Sequence, residues 1–287
     1  MANHRFTSVP IQENDSRFLL FLYENALGRL LLKVFSSPWV SKCGRFFMNK
    51  RISKPYISRF IRKNNISLEN CEKEAFSSFN DFFTRRQKEI LLASKEESIF
   101  LSPCDGKLTA YEISETTSFT IKKTSYTISE LLKDEALSKE YEGGIALLFR
   151  LTPDDYHRYM FMDDGVIEKT KKIKGRLHTV RPIALKNKKV FSENTREYTV
   201  LQTAHFGKMV FMEVGALLIG KISNHKEKGS YTRGEEKGYF EFGGSTILLL
   251  LKKDTLLLHE EIYQNTARYE ETIVSIGQEI GRCEKRL

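Results

Sequence analysis

The spacing of apolar residues divides the chain into a helical part and a β-rich part. Near the start, apolar positions recur at the three-to-four-residue spacing of a helix with one apolar face, at Leu20, Leu27, Leu31 and Val34. Pro38 and Pro55 interrupt this pattern, and Ser53 to Pro55 is typical of a helix start with proline in the first turn. We therefore expect helices over the first stretch of about 90 residues.

The pattern changes at Phe100, where short apolar runs begin to alternate with glycine-rich turns. The runs with the length and composition of strands are Ile145–Leu151, Val210–Val214, Ala216–Ile222, Tyr239–Phe242 and Thr246–Leu251. The predicted fold class is α+β, with a helical N-terminal segment (residues 1–95) docked on a β-rich domain (residues 96–287).

Charge changes the interpretation of the helical part. The chain carries a net charge of +9, and ten Lys or Arg with no Asp or Glu fall between Arg29 and Lys63. Aromatic residues such as Trp39, Phe46 and Phe47 are interleaved with them. A basic and aromatic helical segment is typical of helices that lie on an anionic membrane, where each basic residue adds about 1 kcal/mol. Nucleic-acid binding and an ordinary solvated helix face are the alternatives.

Composition excludes several classes of protein. With 40% hydrophobic and 29% charged residues in 287, the chain is neither disordered nor a multi-span membrane protein. Its four cysteines are widely spaced and form no C-x-x-C, so we expect free thiols rather than a zinc site or a disulfide scaffold. We also expect no secretory leader and no membrane span in the apolar stretch from Phe18 to Phe35, because charged residues interrupt it.

The segment Gly243-Gly244-Ser245-Thr246 lies between two apolar runs and has two interpretations. The simpler one is a glycine-rich hairpin turn. The chemical one is that the Ser245 hydroxyl attacks the preceding glycine carbonyl, because glycine lets the backbone adopt an attack geometry. Such a nucleophile needs a base, and the base needs an orienting group.

Three other segments carry polar candidates, each with an ordinary structural alternative. Asp105 in SPCDGK fits an Asx turn as well as a functional carboxylate. His157 and Arg158 in LTPDDYHRY follow a predicted strand and fit a salt-bridged loop equally well. His178 in LHTV is a lone histidine in an extended segment.

Taken together and in this order, the motifs resemble the phosphatidylserine decarboxylase proenzyme family in its short bacterial-type form. The segments that carry the resemblance are FSSFNDFFTRR, SPCDGKL, LTPDDYHRY, FSENTREY, EVGALLIGKI and RGEEKGYFEFGGST. They extend from about residue 76 to residue 246, and the combination is highly specific for the family.

The resemblance implies a lyase that makes its own cofactor. The chain would cleave itself between Gly244 and Ser245 into a β chain (1–244) and an α chain (245–287), with an ester formed by an N→O shift. Ser245 would become an N-terminal pyruvoyl group, which acts as an electron sink for decarboxylation of phosphatidylserine to phosphatidylethanolamine and CO₂. No metal is expected.

The resemblance assigns the self-cleavage relay to an Asp, a His and the Ser. The Asp corresponds to Asp105 and the Ser to Ser245, whereas the His has no simple match. The family pattern DYHRxH has a second His that is usually the relay base, and Met160 replaces it. Three explanations follow: His157 serves both self-cleavage and decarboxylation, His178 supplies the imidazole, or the protein is an inactive relative that binds anionic lipid. We favour a surrogate histidine, and we expect His157 and Arg158 to contact the substrate.

The expected partners follow from that reaction. They are phosphatidylserine, an anionic membrane surface contacted by the basic helices, the two chains of the same precursor, and a second copy in a homodimer. Nucleic acid is not expected, since no zinc finger or RNA-binding aromatic signature is present. The expected location is the cytoplasmic face of the cell membrane, as a peripheral protein.

Overall fold

The computed structural model describes residues 6–11, 16–121, 124–216, 221–242 and 245–284. Its helices are α1 (Arg17–Glu24), α2 (Ala26–Phe35), α3 (Pro38–Met48), α4 (Pro55–Asn64), α5 (Phe79–Phe83), α6 (Ile128–Leu132), α7 (Glu135–Lys139), α8 (Pro182–Asn187), α9 (Val190–Glu193) and α10 (Glu260–Ala267).

The strands outnumber the helices and belong mostly to the second part of the chain. They are β1 (Ser8–Pro10), β2 (Ile99–Leu101), β3 (Gly106–Glu112), β4 (Ser118–Ile121), β5 (Thr124–Thr127), β6 (Ile145–Leu151), β7 (Arg158–Met160), β8 (Gly165–Ile173), β9 (Arg196–Thr203), β10 (Lys208–Val214), β11 (Ile222–Asn224), β12 (Gly229–Tyr231), β13 (Glu236–Phe240), β14 (Ser245–Leu251), β15 (Leu256–Leu258), β16 (Glu270–Val274) and β17 (Glu279–Cys283).

A nine-stranded antiparallel sheet forms the centre of the fold. Its strand order is β1-β16-β3-β6-β14-β10-β9-β8-β12. Smaller sheets have the orders β11-β13-β7, β15-β17-β2 and β4-β5. The α+β class predicted from the sequence is confirmed at this level, and β14 occupies a central position with β6 on one side and β10 on the other.

The two faces of this sheet bury different clusters because side chains alternate along each strand. We call the first the Ser245 face: it carries Ser245, Ile247 and Leu249, and it packs against the β11-β13-β7 sheet through Tyr159 and Phe240. We call the other the helical face, where Leu248 and Leu250 join Leu22 of α1 and Leu32 of α2 in one cluster. Both faces are covered, so β14 is a continuous apolar run rather than an alternating one.

The N-terminal helices expose the stripe that the sequence suggested would be their apolar face. Leu27, Leu31 and Val34 are exposed, whereas Leu22 and Leu32 are buried against the sheet. Ser53 does not cap α4 but donates from its hydroxyl to the Met48 and Lys50 carbonyls. The helices thus bury one side in the fold and leave a second apolar side outside it.

The N-terminal part of the chain is less uniformly helical than its periodicity predicted. Residues 8–10 form an edge strand paired with β16, and residues 65–98 are mostly irregular around the short helix α5. The division at residue 95 stays a prediction. No helix in the described ranges is both long enough and apolar enough to cross a membrane.

Candidate active site

Ser245 is the first residue of β14 and pairs with Leu151, the last residue of β6. Its side chain is fully buried, and its Oγ has no hydrogen-bond partner among the described residues. Leaving a buried hydroxyl unpaired costs about 1–3 kcal/mol, so the hydroxyl of Ser245 is available for a further hydrogen bond or for chemistry. Gly243 and Gly244, and with them the predicted scissile bond, lie outside the described residues.

His157 reaches the same end of the sheet from the loop that follows β6. The residue is fully buried, and its Nδ1 lies 2.9 Å from the Asp155 carbonyl oxygen. Because a carbonyl oxygen only accepts, the neutral ring carries its proton on Nδ1 and Nε2 is the basic nitrogen. The His157 carbonyl accepts a hydrogen bond from the Phe240 amide, five residues before Ser245.

Helix α5, from the FSSFNDFF motif, holds both His157 and the residue that precedes the two glycines. The Phe83 ring lies 4.1 Å from the imidazole, measured between centroids. Phe242 packs edge-on against Phe79 and Phe83, and its amide donates to Asn80 Oδ1 at 3.0 Å. This aromatic motif therefore positions two parts of the site instead of only filling core volume.

Asp105 supports the loop that carries His157. Its Oδ1 accepts from the Ile276 amide at 2.8 Å and its Oδ2 from the Tyr156 amide at 3.3 Å. Burial raises the pKa of this carboxyl, Asp155 raises it further, and the two amide bonds oppose the shift. The recorded hydrogen bonds of Asp105 are to backbone amides rather than to the imidazole, so a relay through Asp105 stays a prediction.

Met160 belongs to a different cluster from the strand residues that share the face of Ser245. Its side chain is fully buried with Leu101, Tyr156 and Ile276, and its amide donates to the Pro103 carbonyl. Tyr159, one residue earlier on β7, points to the Ser245 face. Position 160 thus lies beside the loop that bears Asp105, and methionine brings no proton acceptor there.

His178 lies in the cluster on the other side of the sheet. Its Nδ1 is 3.4 Å from the Tyr23 hydroxyl, and its Nε2 is 3.5 Å from the Glu193 carboxylate. Burial lowers the pKa of His178 to about 4, with smaller contributions from Lys188 and Arg176. An imidazole with this pKa is a weak base, and the structure does not bring it to the Ser245 face; its predicted role stays untested.

Arg158 holds helix α5 to the small sheet. Its guanidinium donates to the carbonyls of Thr84 and Arg85 and to the Glu236 carboxylate at 2.6 Å. It also lies over the Tyr239 ring, 4.7 Å from the centroid. These contacts occupy the guanidinium, so its predicted contact with substrate would require exchanging them.

The comparisons with known proteins agree with this arrangement of motifs. A family model described as phosphatidylserine decarboxylase matches residues 79–282. The chain belongs to the phosphatidylserine decarboxylase family. It is 49% identical over 265 residues to phosphatidylserine decarboxylase proenzyme 2 of Clostridium acetobutylicum, covering 92% of this chain and 91% of that one. It is 42% identical over 279 residues to the proenzyme of Ruminiclostridium cellulolyticum, covering 95% and 93% of the two chains. The predicted resemblance, and with it an enzyme of the decarboxylase class, is confirmed.

This phosphatidylserine decarboxylase family member also buries an ion pair that the sequence interpretation did not single out. Glu213 of β10 and Lys237 of β13 are fully buried, with Lys237 Nζ 2.5 Å from Glu213 Oε1. The usable signal was a lone acidic residue in the apolar run MVFMEV. Among the described residues, no group of three His, Cys, Asp or Glu side chains is arranged to hold a metal.

Proposed function

We propose that this protein decarboxylates phosphatidylserine to phosphatidylethanolamine and CO₂, using a pyruvoyl group that it makes from Ser245 by cutting itself between Gly244 and Ser245. The observation that carries the proposal is a buried serine hydroxyl, without a partner among the described residues, at the strand start that follows two glycines. A pyruvoyl group formed there would be covalently attached to a rigid strand, so the residues present fit the cofactor.

In the self-cleavage, the Ser245 hydroxyl loses its proton to a base and bonds to the Gly244 carbonyl carbon. The peptide bond to the Ser245 nitrogen breaks, and that nitrogen takes up the proton, which leaves an ester. Loss of the Ser245 α-proton then expels Gly244 as a carboxylate. Hydrolysis with release of ammonia leaves a ketone at the new N-terminus. His157 lies at this end of the sheet, and the hydrogen bond of its Nδ1 to the Asp155 carbonyl leaves Nε2 as the nitrogen that can accept a proton, which supports a role for it in the proposed chemistry.

The fold supports a product of two chains that stay together. After cleavage, β14 would belong to residues 245–287 while both of its neighbours, β6 and β10, belong to residues 1–244. Seven consecutive residues of β14 pair with β6 and six pair with β10. The second chain would therefore remain the centre of the sheet, and the new N-terminus would remain at its end.

When formed, the pyruvoyl ketone supplies an electron sink for the electrons released as CO₂ leaves. The chain's own residues have to hold the lipid and exclude water. The buried phenylalanines around His157 and Phe242 keep the site dry. Exclusion of water strengthens the electrostatic interactions within the site.

The exposed side of α1–α4 suits docking on an anionic membrane. These four helices, which we call the docking helices, expose large apolar side chains, including Trp39 (72% exposed) and, in the turn before α4, Ile52 (74%). Among the described residues, none of the ten basic side chains from Arg29 to Lys63 is in an ion pair with a carboxylate. Exposed apolar and unpaired basic groups together favour a surface with acyl chains and anionic headgroups.

An apolar groove lies among the docking helices and reaches Phe242, three residues before Ser245. It has a volume of about 240 Å³ between α3, α4 and α5, lined by Met48, Phe60 and Phe79, and Phe242 closes one side. Arg59 and Lys63 border it. We propose that one acyl chain of the substrate occupies this groove with its phosphate near the two cations, because Phe242 is separated from Ser245 by two glycines only.

Denaturing mass spectrometry of the full chain tests the proposal first. The expected result is a fragment of residues 1–244 and a fragment of residues 245–287 that is one ammonia lighter than the same fragment beginning with serine. The matched variant Ser245→Ala should remain one chain and release no CO₂ from phosphatidylserine vesicles. A wild-type preparation that stays intact and releases no CO₂ would contradict the proposal.

The alternative is an inactive relative that binds anionic lipid, and Met160 is the observation that favours it. Position 160 lies beside the loop that bears Asp105. Methionine in place of the family's second histidine therefore removes the usual base of the predicted relay. An intact wild-type chain that still binds phosphatidylserine vesicles would support this alternative.

A further inference from the structure

The Glu213–Lys237 pair lies on the same side of the sheet as Ser245. Glu213 is paired in register with Ile247 of β14, and Ser245 is two residues before Ile247 on the same strand. Side chains two residues apart along a strand point to the same face, so Glu213 and Ser245 are diagonal neighbours on adjacent strands. Diagonal neighbours have their β-carbons within about 7–8 Å, which a glutamate side chain with one water molecule can span.

Both groups have an unused hydrogen-bonding atom. Lys237 donates to Glu213 Oε1, while Glu213 Oε2 is buried without a partner among the described residues. The same holds for Ser245 Oγ. Fifteen buried side-chain atoms lack a partner among the described residues, and these two lie on one face of neighbouring strands, where a hydroxyl can donate and a carboxylate oxygen can accept.

Other polar groups keep the pair in place. Lys237 Nζ also donates to Asn224 Oδ1 at 2.9 Å, and Asn224 Nδ2 donates to Glu197 Oε1. The Tyr159 hydroxyl donates to the same Asn224 oxygen at 3.2 Å. Tyr159 belongs to the β11-β13-β7 sheet, so the network joins the two layers that enclose Ser245.

We infer that Glu213 is the proton acceptor for the Ser245 hydroxyl in self-cleavage, acting directly or through one water molecule, and that Lys237 is its positioning residue. The inference rests on the proposed function and deepens it, because it assigns to a carboxylate the base that Met160 does not provide. His157 is then left for the later chemistry with the lipid.

The proton balance of this step closes without an added reagent. Glu213 Oε2 takes the proton from Ser245 Oγ as Oγ bonds to the Gly244 carbonyl carbon. When the carbon–nitrogen bond breaks, the protonated Glu213 returns the same proton to the Ser245 nitrogen. The carboxylate ends in the state in which it began, and the ester is the only product.

The electrostatic environment suits a group that both takes and returns a proton near neutral pH. Burial raises the pKa of Glu213 to about 7, the Lys237 cation opposes the rise, and the Glu197 carboxylate directly across on β9 adds to it. The other titratable groups that face the network are Tyr159 from β7 and Lys172 from β8, which lies 3.7 Å from Glu197. A catalytic acid–base group works best when its pKa is close to the working pH.

The test follows self-cleavage of the full chain made by cell-free translation, with the two fragments resolved over time. In Glu213→Gln we expect cleavage at least about 100-fold slower than in the wild type, the lower end of general acid–base contributions. The wild-type rate should rise with pH through an inflection near neutrality. That inflection should move upward in Lys237→Met, which removes the counter-ion, and should vanish in Glu213→Gln.

Because Glu213→Gln leaves Lys237 buried without its carboxylate, the double variant Glu213→Gln/Lys237→Met removes both charges and keeps the volume. It should fold, by circular dichroism and thermal melting, and should cleave as slowly as Glu213→Gln. Glu271→Gln is the matched control, since Glu271 is an equally buried carboxylate paired with Arg150 on β6, whose register partner Thr246 points to the helical face. The control should process at the wild-type rate.

Hydroxylamine cleaves esters, so it reports whether the ester between Gly244 and Ser245 has formed. The wild-type chain should yield fragments as soon as the ester forms, whereas Glu213→Gln should not respond. Equal cleavage of wild type and Glu213→Gln, or rapid hydroxylamine cleavage of the variant, would overturn the role of Glu213 while leaving the proposed function intact. An unprocessed wild-type chain would instead overturn the proposed function itself.

Discussion

Neutralising part of the docking helices should release the protein from anionic membranes. The variant replaces Lys50, Arg51 and Lys54 by glutamine; all three are exposed in the connection between α3 and α4, next to the exposed Ile52. None of them pairs with a carboxylate among the described residues, so the substitutions break no ion pair in the fold. We therefore expect an effect on binding without an effect on folding.

The magnitude follows from the number of charges removed. Each basic residue close to an anionic surface contributes about 1 kcal/mol, so three contribute about 3 kcal/mol. Since about 1.4 kcal/mol corresponds to a factor of ten, the partition coefficient should fall about 150-fold. The difference should shrink at 1 M salt, where the screening length falls to about 3 Å and mainly the apolar contacts of the helices remain.

The assay is sedimentation with vesicles that contain phosphatidylserine, compared with vesicles of phosphatidylcholine alone. Both proteins carry Ser245→Ala so that the lipid is not consumed during the measurement. The matched control neutralises three exposed lysines outside the docking helices that pair with no carboxylate among the described residues, Lys95, Lys228 and Lys253. If the control loses as much affinity as the test variant, or if the test variant binds like the parent protein at low salt, the assignment of this surface is wrong.

Three smaller predictions concern the residues around the site and one pH-sensitive contact. Asn80→Ala leaves the Phe242 amide unpaired, and should lower the free energy of unfolding by about 1–3 kcal/mol and slow self-cleavage, which denaturant titration and fragment analysis measure. Phe83→Leu keeps the site apolar but removes the ring that contacts the His157 imidazole at a tilt, so decarboxylation by the processed enzyme should fall while the thermal midpoint changes little. The hydrogen bond to Asp163 raises the pKa of His205, so this contact stabilises the fold fully below about pH 6.5 and is lost as pH rises through the raised pKa. His205→Gln should accordingly lower the thermal midpoint more at pH 6 than at pH 9.

Much of the fold could be predicted because its central strands are apolar on both faces. Ile145–Leu151 and the run ending at Leu251 stand out in the sequence, and the structure places them side by side as β6 and β14. Edge strands such as Ser8–Pro10 could not be found this way, since three residues with one exposed side carry no periodic signal. Helices were predicted correctly over residues 17–64 but not over the mostly irregular residues 65–98, and helical periodicity does not say whether an apolar stripe faces the core or a membrane.

Sequence motifs predicted part of the candidate site, namely the residues that lie within them. Ser245, His157 and Asp105 came from segments that resemble the family, and the structure places all three toward one end of the sheet. His178 and Ser245 are separated because they lie on opposite sides of the sheet. The sequence around a lone histidine in an extended segment does not show on which side of the sheet it lies. Glu213 and Lys237 are 24 residues apart in the chain, and only the packing of two sheets brings them together.

The position of Ser245 on a central strand is compatible with the proposed cut, because the chain could be cut there and keep its fold. The residues after the cut belong to the most buried strand of the sheet, whereas the residues before it come from the small sheet that covers the Ser245 face. Phe242, the last described residue before the proposed cut, is held by α5 through ring contacts and the hydrogen bond to Asn80. If the cut occurs, the new N-terminus would begin a fully buried strand, at the end of the sheet where His157 lies and on the face that carries Glu213. The apolar groove among the docking helices lies beside Phe242. A serine elsewhere on the same strand would lack the glycines that permit the attack, and a serine in a surface turn would lack the enclosure.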